Sequence, residues 1–387
     1  MRLWKAKVTG LVLLVASGIS ACGGNVHQEA RCEPGQSYVG PPTWQPESSA
    51  LTLPATDRDW LALEAPDAIQ AHLQAALAEA RDLAGAEAVT AALIHPDWRW
   101  QASLGVSSEL DPPPFYWASI GKLMTAQVIL QMAQEGALDL DNTLDRWFPE
   151  LPEADKMTVR HLLTHTSGLF SYNEDLQYRS QQEDEGPEAN LDIALAHPLL
   201  FCPGTQWRYS NTNYLLLGLL IERIDQEPYA TSVERRLFTH STLRVATSGN
   251  SSDVVYALAD PSQRAFFPFA PHWPYAAGSV VGSAEAMAAY WLDTLRGERL
   301  PTEIVLAQYA QLYPMFDEHT WYGLGVMAYT PTDNTTWLGH SGGTQEMSAV
   351  LLWMPEHELV VAVSHTGTES RAEAIAHRLV SRLDEIE

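Results

Sequence analysis

Within the apolar run PPFYWASIGKLMTAQVILQMA, residues 113–133, one lysine stands three residues after a serine. From about Ser119 to Glu135 the pattern is helical, stops before Gly136, and is apolar nearly all the way round, which predicts a buried helix. Lys122 is its only charge before Glu135. A buried lysine is costly unless it is paired or neutral. At i and i+3 the two side chains share a helix face. Ser119 falls at the helix start, where free N–H groups favour developing negative charge. Desolvation lowers a lysine's pKa, so a neutral Lys122 can take the proton of the Ser119 hydroxyl and make it a nucleophile. Past residue 21 the chain has 18 arginines and two lysines, Lys122 and Lys156. Arginine does not deprotonate and could not serve as this base. Three residues before Lys156 stands Glu153, so Ser-x-x-Lys occurs once past residue 21. On the pair alone, a lysine reaching to water from near a helix end stays open as the alternative.

Two further motifs favour the chemical reading. Tyr209-Ser210-Asn211 follows a Pro-Gly turn and precedes an apolar helix. A tyrosine near the serine can relay protons to a leaving group, and an asparagine can bind a substrate amide. His340-Ser341-Gly342-Gly343 follows the β-prone TTWLG. A strand edge of small residues lets a substrate lie alongside, and one of its N–H groups can complete an oxyanion hole with that of Ser119.

In this order the motifs Ser119-Ile120-Gly121-Lys122, Tyr209-Ser210-Asn211 and His340-Ser341-Gly342 resemble those of the serine β-lactamase and penicillin-binding protein superfamily. The nearest branch is that of class C β-lactamases, D-alanyl-D-alanine carboxypeptidases and related esterases. LDLDNTLDRWFPELPEADKMTVRHLLTHTSGL is similar to that branch's connecting signature, and FCPGTQWRYSN to its approach to the tyrosine. The likeness runs from about residue 65 to the end. It implies that Ser119 is acylated, Lys122 is its base, and Tyr209 takes part in proton transfer. It also implies an oxyanion hole from the N–H groups of Ser119 and Gly343, and substrate contacts from Asn211, His340, Ser341 and Gly342. No metal or cofactor is implied. His340 stands where many β-lactamases carry lysine, as in some of the carboxypeptidases and esterases, which weakens the case for efficient β-lactam hydrolysis. TQEM after Gly343 and SHTGT at the last strand also depart from the family pattern and bear on substrate preference.

Three other motifs compete. Gly339-His340-Ser341-Gly342-Gly343 matches G-x-S-x-G, which would make Ser341 the nucleophile but needs a helix after it. His365-Thr366-Gly367 imitates the third motif and is expected to form a turn. His161 and His165 have a zinc-compatible spacing but lack the glutamate of H-E-x-x-H, so the segment is read as structural.

These residues need elements to hold them. Apolar residues recur at helical spacing from Asp67 to Leu83, with Gly85 as a stop. AVTAALIH and WRWQASLG flank Pro96-Asp97 as a hairpin. The middle is mostly helical. AAGSVVGSAEAMAAYWLDTLR reads as strand, turn and helix. Three strand-like runs follow, WYGLGVMAY, TTWLGHSGG with MSAVLLWM, and LVVAVSH, before a last helix. This order predicts an α+β fold, an antiparallel sheet flanked by helices with an inserted all-helical domain. The expected division is 58–136 with 246–387 for the sheet domain and 137–245 for the helical one.

Residues 1–21 have a basic start, an apolar stretch and small residues before Cys22, the pattern of a secretory signal. Ile-Ser-Ala-Cys is similar to a bacterial lipoprotein cleavage box, so Cys22 is the expected lipidation site and 22–57 a tether to the membrane. The expected location is the cell envelope. Cys32 and Cys202 are then a candidate disulfide in an oxidising compartment, or two unrelated thiols. A net charge of −25 argues against nucleic acid as a partner, since a phosphate backbone needs a basic face. The expected activity is hydrolysis through an acyl-enzyme on Ser119, of a D-Ala-D-Ala-type peptide, a small ester or a β-lactam. Two other outcomes stay open: acyl transfer to an alcohol or amine, and a non-catalytic surface protein on the same scaffold.

Overall fold

The computed structural model describes residues 32–33, 35–46, 51–106, 111–180, 185–247, 254–255, 274–331, 335–344, 346–367 and 371–385. The leader and Cys22 lie outside these residues. Cys32–Glu387 forms one compact unit.

Among the described residues, the first helix is α1 (Asp67–Leu83). The hairpin β1 (Val89–His95) and β2 (Trp98–Leu104) follows. β3 (Phe115–Tyr116) leads through a 3-10 turn at Ala118–Ile120 into α2 (Gly121–Gln134). A helical stretch holds α3 (Val159–Leu163), α4 (Leu176–Ser180), α5 (Pro187–Leu195), α6 (Asn211–Asp225) and α7 (Tyr229–Leu237). Then come β4 (Arg244–Val245), β5 (Val280–Gly282), α8 (Ala284–Leu295) and α9 (Thr302–Ala307). The chain closes with β6 (Tyr313–Pro314), β7 (Thr320–Tyr322), β8 (Met327–Tyr329), β9 (Trp337–Gly343), β10 (Met347–Met354), β11 (Leu359–Thr366) and α10 (Ala372–Leu383).

Eight strands form one antiparallel sheet in the order β2-β1-β11-β10-β9-β8-β7-β6, so both chain ends build it. Successive strand residues point to opposite faces, and β10 uses both. Ala349, Leu351 and Trp353 pack with α2 and α8, while Val350, Leu352 and Met354 pack with α1 and α10. A small second sheet has the order β3-β5-β4, and its strand β3 runs into the turn that carries Ser119.

Three expectations change. WYGLGVMAY is two short strands, β7 and β8, because Gly323 and Gly325 turn the chain between them. His365 and Thr366 are strand residues, paired with Ser348 and Met347, rather than a turn. Residues 35–46, inside the expected tether, are docked. The Val39 N–H donates to Thr205 O (2.8 Å), and Trp44 and Leu312 exchange backbone bonds. The rings of Tyr38 and Trp44 pack on Tyr313 and Trp321. A disulfide joins Cys32 to Cys202. Few aliphatics were needed, because aromatic rings and backbone pairing anchor this strap.

Candidate active site

The small sheet delivers the nucleophile candidate. Trp117 is fixed by its N–H to Val280 O (3.1 Å) and its indole N–H to Gly282 O (2.9 Å). Ala118 then adopts φ +46°, a left-handed conformation that non-glycine residues avoid. Ser119 follows on the 3-10 turn, partly open among buried neighbours. Lys122 is fully buried one turn along. Its Nζ lies 3.0 Å from Ser119 Oγ and 2.6 Å from Ala277 O. Burial holds its pKa well below the usual lysine range. The partner count agrees. A neutral amine has two N–H groups and one lone pair, so one N–H can serve Ala277 O while the lone pair faces the Ser119 hydroxyl.

Tyr209 lies across from this pair. Its ring centroid is 4.9 Å from Lys122 Nζ. Its hydroxyl faces Ser119, and burial raises the phenol pKa. The phenol therefore stays protonated at neutral pH. His165 packs against Tyr209 at 4.3 Å between ring centroids.

The third side is β9. β8 pairs with it only as far as Gly339, so residues 340–343 have an open edge. The Ser341 N–H turns to Met327 Sδ on that side (3.4 Å). Strand alternation gives the Gly343 N–H the same edge. Gly342 is the point of closest approach: a Cβ there would lie 2.5 Å from Trp117 O and 2.9 Å from Ser119 N. His340 is buried, with Nδ1 2.5 Å from Ser341 O and Nε2 3.4 Å from Tyr322 Oη. Because Nδ1 faces a carbonyl it carries the proton. Burial lowers the His340 pKa to about 3. The Tyr322 hydroxyl donates to that of Tyr214, which donates to Leu163 O.

Ser341 does not join the group. It lies one residue along the strand from His340, so its side chain faces the opposite side of the sheet. Its hydroxyl meets Met327 Sδ (3.6 Å). Nor is Ser341 on an elbow, since β10 rather than a helix follows it. Asn211 stands at the start of α6, with its amide N–H donating to Asn173 Oδ1 (2.9 Å). His161 and His165 serve separately. His161 closes a capping box with Thr158 at the start of α3, whereas His165 turns to Ser210. His165, Tyr322, Tyr214 and the Ala277 carbonyl all belong to the site's surroundings and were not singled out for it from sequence.

The family model described as Beta-lactamase matches residues 88–384. The chain belongs to the Beta-lactamase family. Among curated relatives, a penicillin-binding protein of Bacillus subtilis (strain 168) is 34% identical over 132 residues, 32% of this chain and 28% of its own length. Esterase EstB of Burkholderia gladioli is 29% identical over 213 residues, 48% of this chain and 52% of its own. The chain thus spans about half or less of these relatives. Among solved structures, a D-stereospecific amidohydrolase from Streptomyces sp. superposes with a TM-score of 0.67 at 26% identity, covering 81% of this chain and 98% of that one. The Beta-lactamase-family fold is this α+β arrangement, an antiparallel sheet flanked by helices.

Proposed function

We propose that this chain is a serine hydrolase that cleaves esters or amides through an acyl-enzyme on Ser119. The observation that carries this is the buried Lys122 amine, 3.0 Å from Ser119 Oγ with one other partner among the described residues. Lys122 takes the Ser119 proton as Oγ bonds to the carbonyl carbon, and the carbonyl electron pair moves onto oxygen. The N–H groups of Ser119 and Gly343 hold that oxyanion. As the bond to the leaving group breaks, the proton passes from Lys122 through the Tyr209 hydroxyl, which donates one proton as it accepts another. Water then uses the same groups to release the acid.

The His340 imidazole is neutral and its N–H is spent on its own strand, so it offers no cation to a substrate carboxylate. This favours substrates without a free carboxylate at that end, small esters and amides, over peptide acids and β-lactams. The esterase and amidohydrolase relatives support the same class. Residues 1–22 and the Cys32–Cys202 disulfide support export to an oxidising envelope with a lipid on Cys22.

The test is the intact mass of the protein after exposure to p-nitrophenyl acetate and, separately, to benzylpenicillin. An acetyl adduct mapped to Ser119 is expected, with little or no penicillin adduct. A folded protein that takes neither would overturn the proposal.

A further inference from the structure

We infer that His165 is a positioning residue for Tyr209 and that acylation depends on it; this rests on the Ser119 chemistry proposed above. His165 is fully buried, lies outside the acylation machinery, and is held at φ +60°. A histidine kept in that conformation must be over-determined by its surroundings.

Its contacts bracket Tyr209. The His165 carbonyl accepts the Arg208 N–H (3.0 Å), and its Nδ1 accepts the Ser210 N–H (3.2 Å). One residue thus holds the main chain immediately before and after the tyrosine. Its ring also packs on the Tyr209 ring at 4.3 Å and on that of Tyr322 at 4.6 Å, which leaves Tyr209 little freedom to tilt.

The protonation state follows from the partners. Asn213 Oδ1 accepts the Ser167 hydroxyl (2.5 Å), which orients the Asn213 amide so that its Nδ2 faces His165 Nδ1 (3.0 Å). Two N–H donors therefore converge on Nδ1, and the proton must sit on Nε2. That nitrogen has no partner among the described residues. An apolar ring would fill the space without stranding that N–H. What an apolar ring lacks is the acceptor for the Ser210 N–H. Burial also keeps His165 neutral, in line with Nδ1 acting as acceptor.

The test compares His165→Phe with His165→Asn in the full chain, by stopped-flow acylation with p-nitrophenyl acetate. Phe keeps a ring and removes the acceptor. Asn places Oδ1 near the former Nδ1 and suits a positive φ. H165F should slow acylation by about 30-fold or more, with the half-saturating ester concentration within about threefold. H165N should stay within about fivefold of wild type. In a Tyr209→Phe background, H165F should add less than about twofold, because the residue acts through that hydroxyl. A folded H165F that acylates within about threefold of wild type, an H165N as slow as H165F, or full additivity with Y209F would each overturn the proposal. Should H165F not fold, His165→Gln, whose acceptor lies one carbon further out, is judged by the same comparisons. A wild type that forms no Ser119 adduct would instead remove the parent reading, and this one with it.

Discussion

The Lys122 amine stands 3.0 Å from the Ser119 hydroxyl, and its other partner among the described residues is a backbone carbonyl, that of Ala277. No carboxylate is paired with it there. The arrangement suits a base better than a structural ion pair, and it ranks the two serines of the motifs. Ser119→Ala should cut kcat/KM on p-nitrophenyl acetate by at least about a thousandfold. Ser341→Ala should cost less than about tenfold, since its hydroxyl faces Met327 rather than Ser119. The reverse ranking would remove Ser119 from its role.

Activity and stability should part company at Lys122. Its pKa is lowered by burial, so between the folded value and 10.5 the unfolded chain binds the extra proton. Wild-type stability then rises with pH across that window. Lys122→Met should be inactive, yet more stable than wild type at pH 7 by about 1 kcal/mol or more. The gap should close as pH approaches 10.5. Urea melts of both proteins at pH 7, 9 and 10.5 measure it. A variant less stable at every pH would show that the amine's bond to Ala277 outweighs its desolvation.

His340 gives the acid side. Its folded pKa is about 3, against an ordinary value near 6.5. Above pH 6.5 it is neutral in both states and costs nothing. As pH falls from 6.5 to about 3 the unfolded chain gains a proton that the folded one refuses, so stability is lost progressively, by roughly 5 kcal/mol in all. His165 acts in the same direction. His340→Asn should flatten the stability–pH curve between pH 6.5 and 4. An unchanged slope would mean that the fold does not hold His340 neutral as pH falls, and with it the argument for uncharged substrates would fail.

How legible the site was differs residue by residue. Lys122 could be read because a lone charge in an apolar helix demands a reason. Tyr209 and His340 could be read because whole motifs carry them. The direction of the Ser341 side chain follows from strand alternation: His340 and Gly342 share the face towards Ser119, so Ser341 between them turns to Met327. His165 was read only as half of a zinc-like pair, because its partners Ser210 and Asn213 lie more than forty residues on and local spacing says nothing of them. The Ala277 carbonyl is backbone, which no residue type announces. The α+β order and the first hairpin were legible from periodicity. The docking of residues 35–46 was not, since it depends on rings of Tyr38 and Trp44 meeting partners from the far end of the chain.

That strap yields the last prediction. Cys32 and Cys202 are bonded across 170 residues, so the disulfide restricts a large loop in the unfolded chain. Replacing both with serine should cost about 2–4 kcal/mol, read as a lower melting temperature. Cys202 also begins the loop that leads to Tyr209, and the Val39 bond to Thr205 lies on that same loop. Yet Arg208 and Ser210 are held by His165, downstream of the disulfide. The doubly substituted protein should therefore acylate within about threefold of wild type at temperatures where it is folded. Lost stability with kept activity would separate the strap's work from that of His165. Unchanged melting with collapsed activity would instead make the disulfide the element that sets Tyr209 against Ser119.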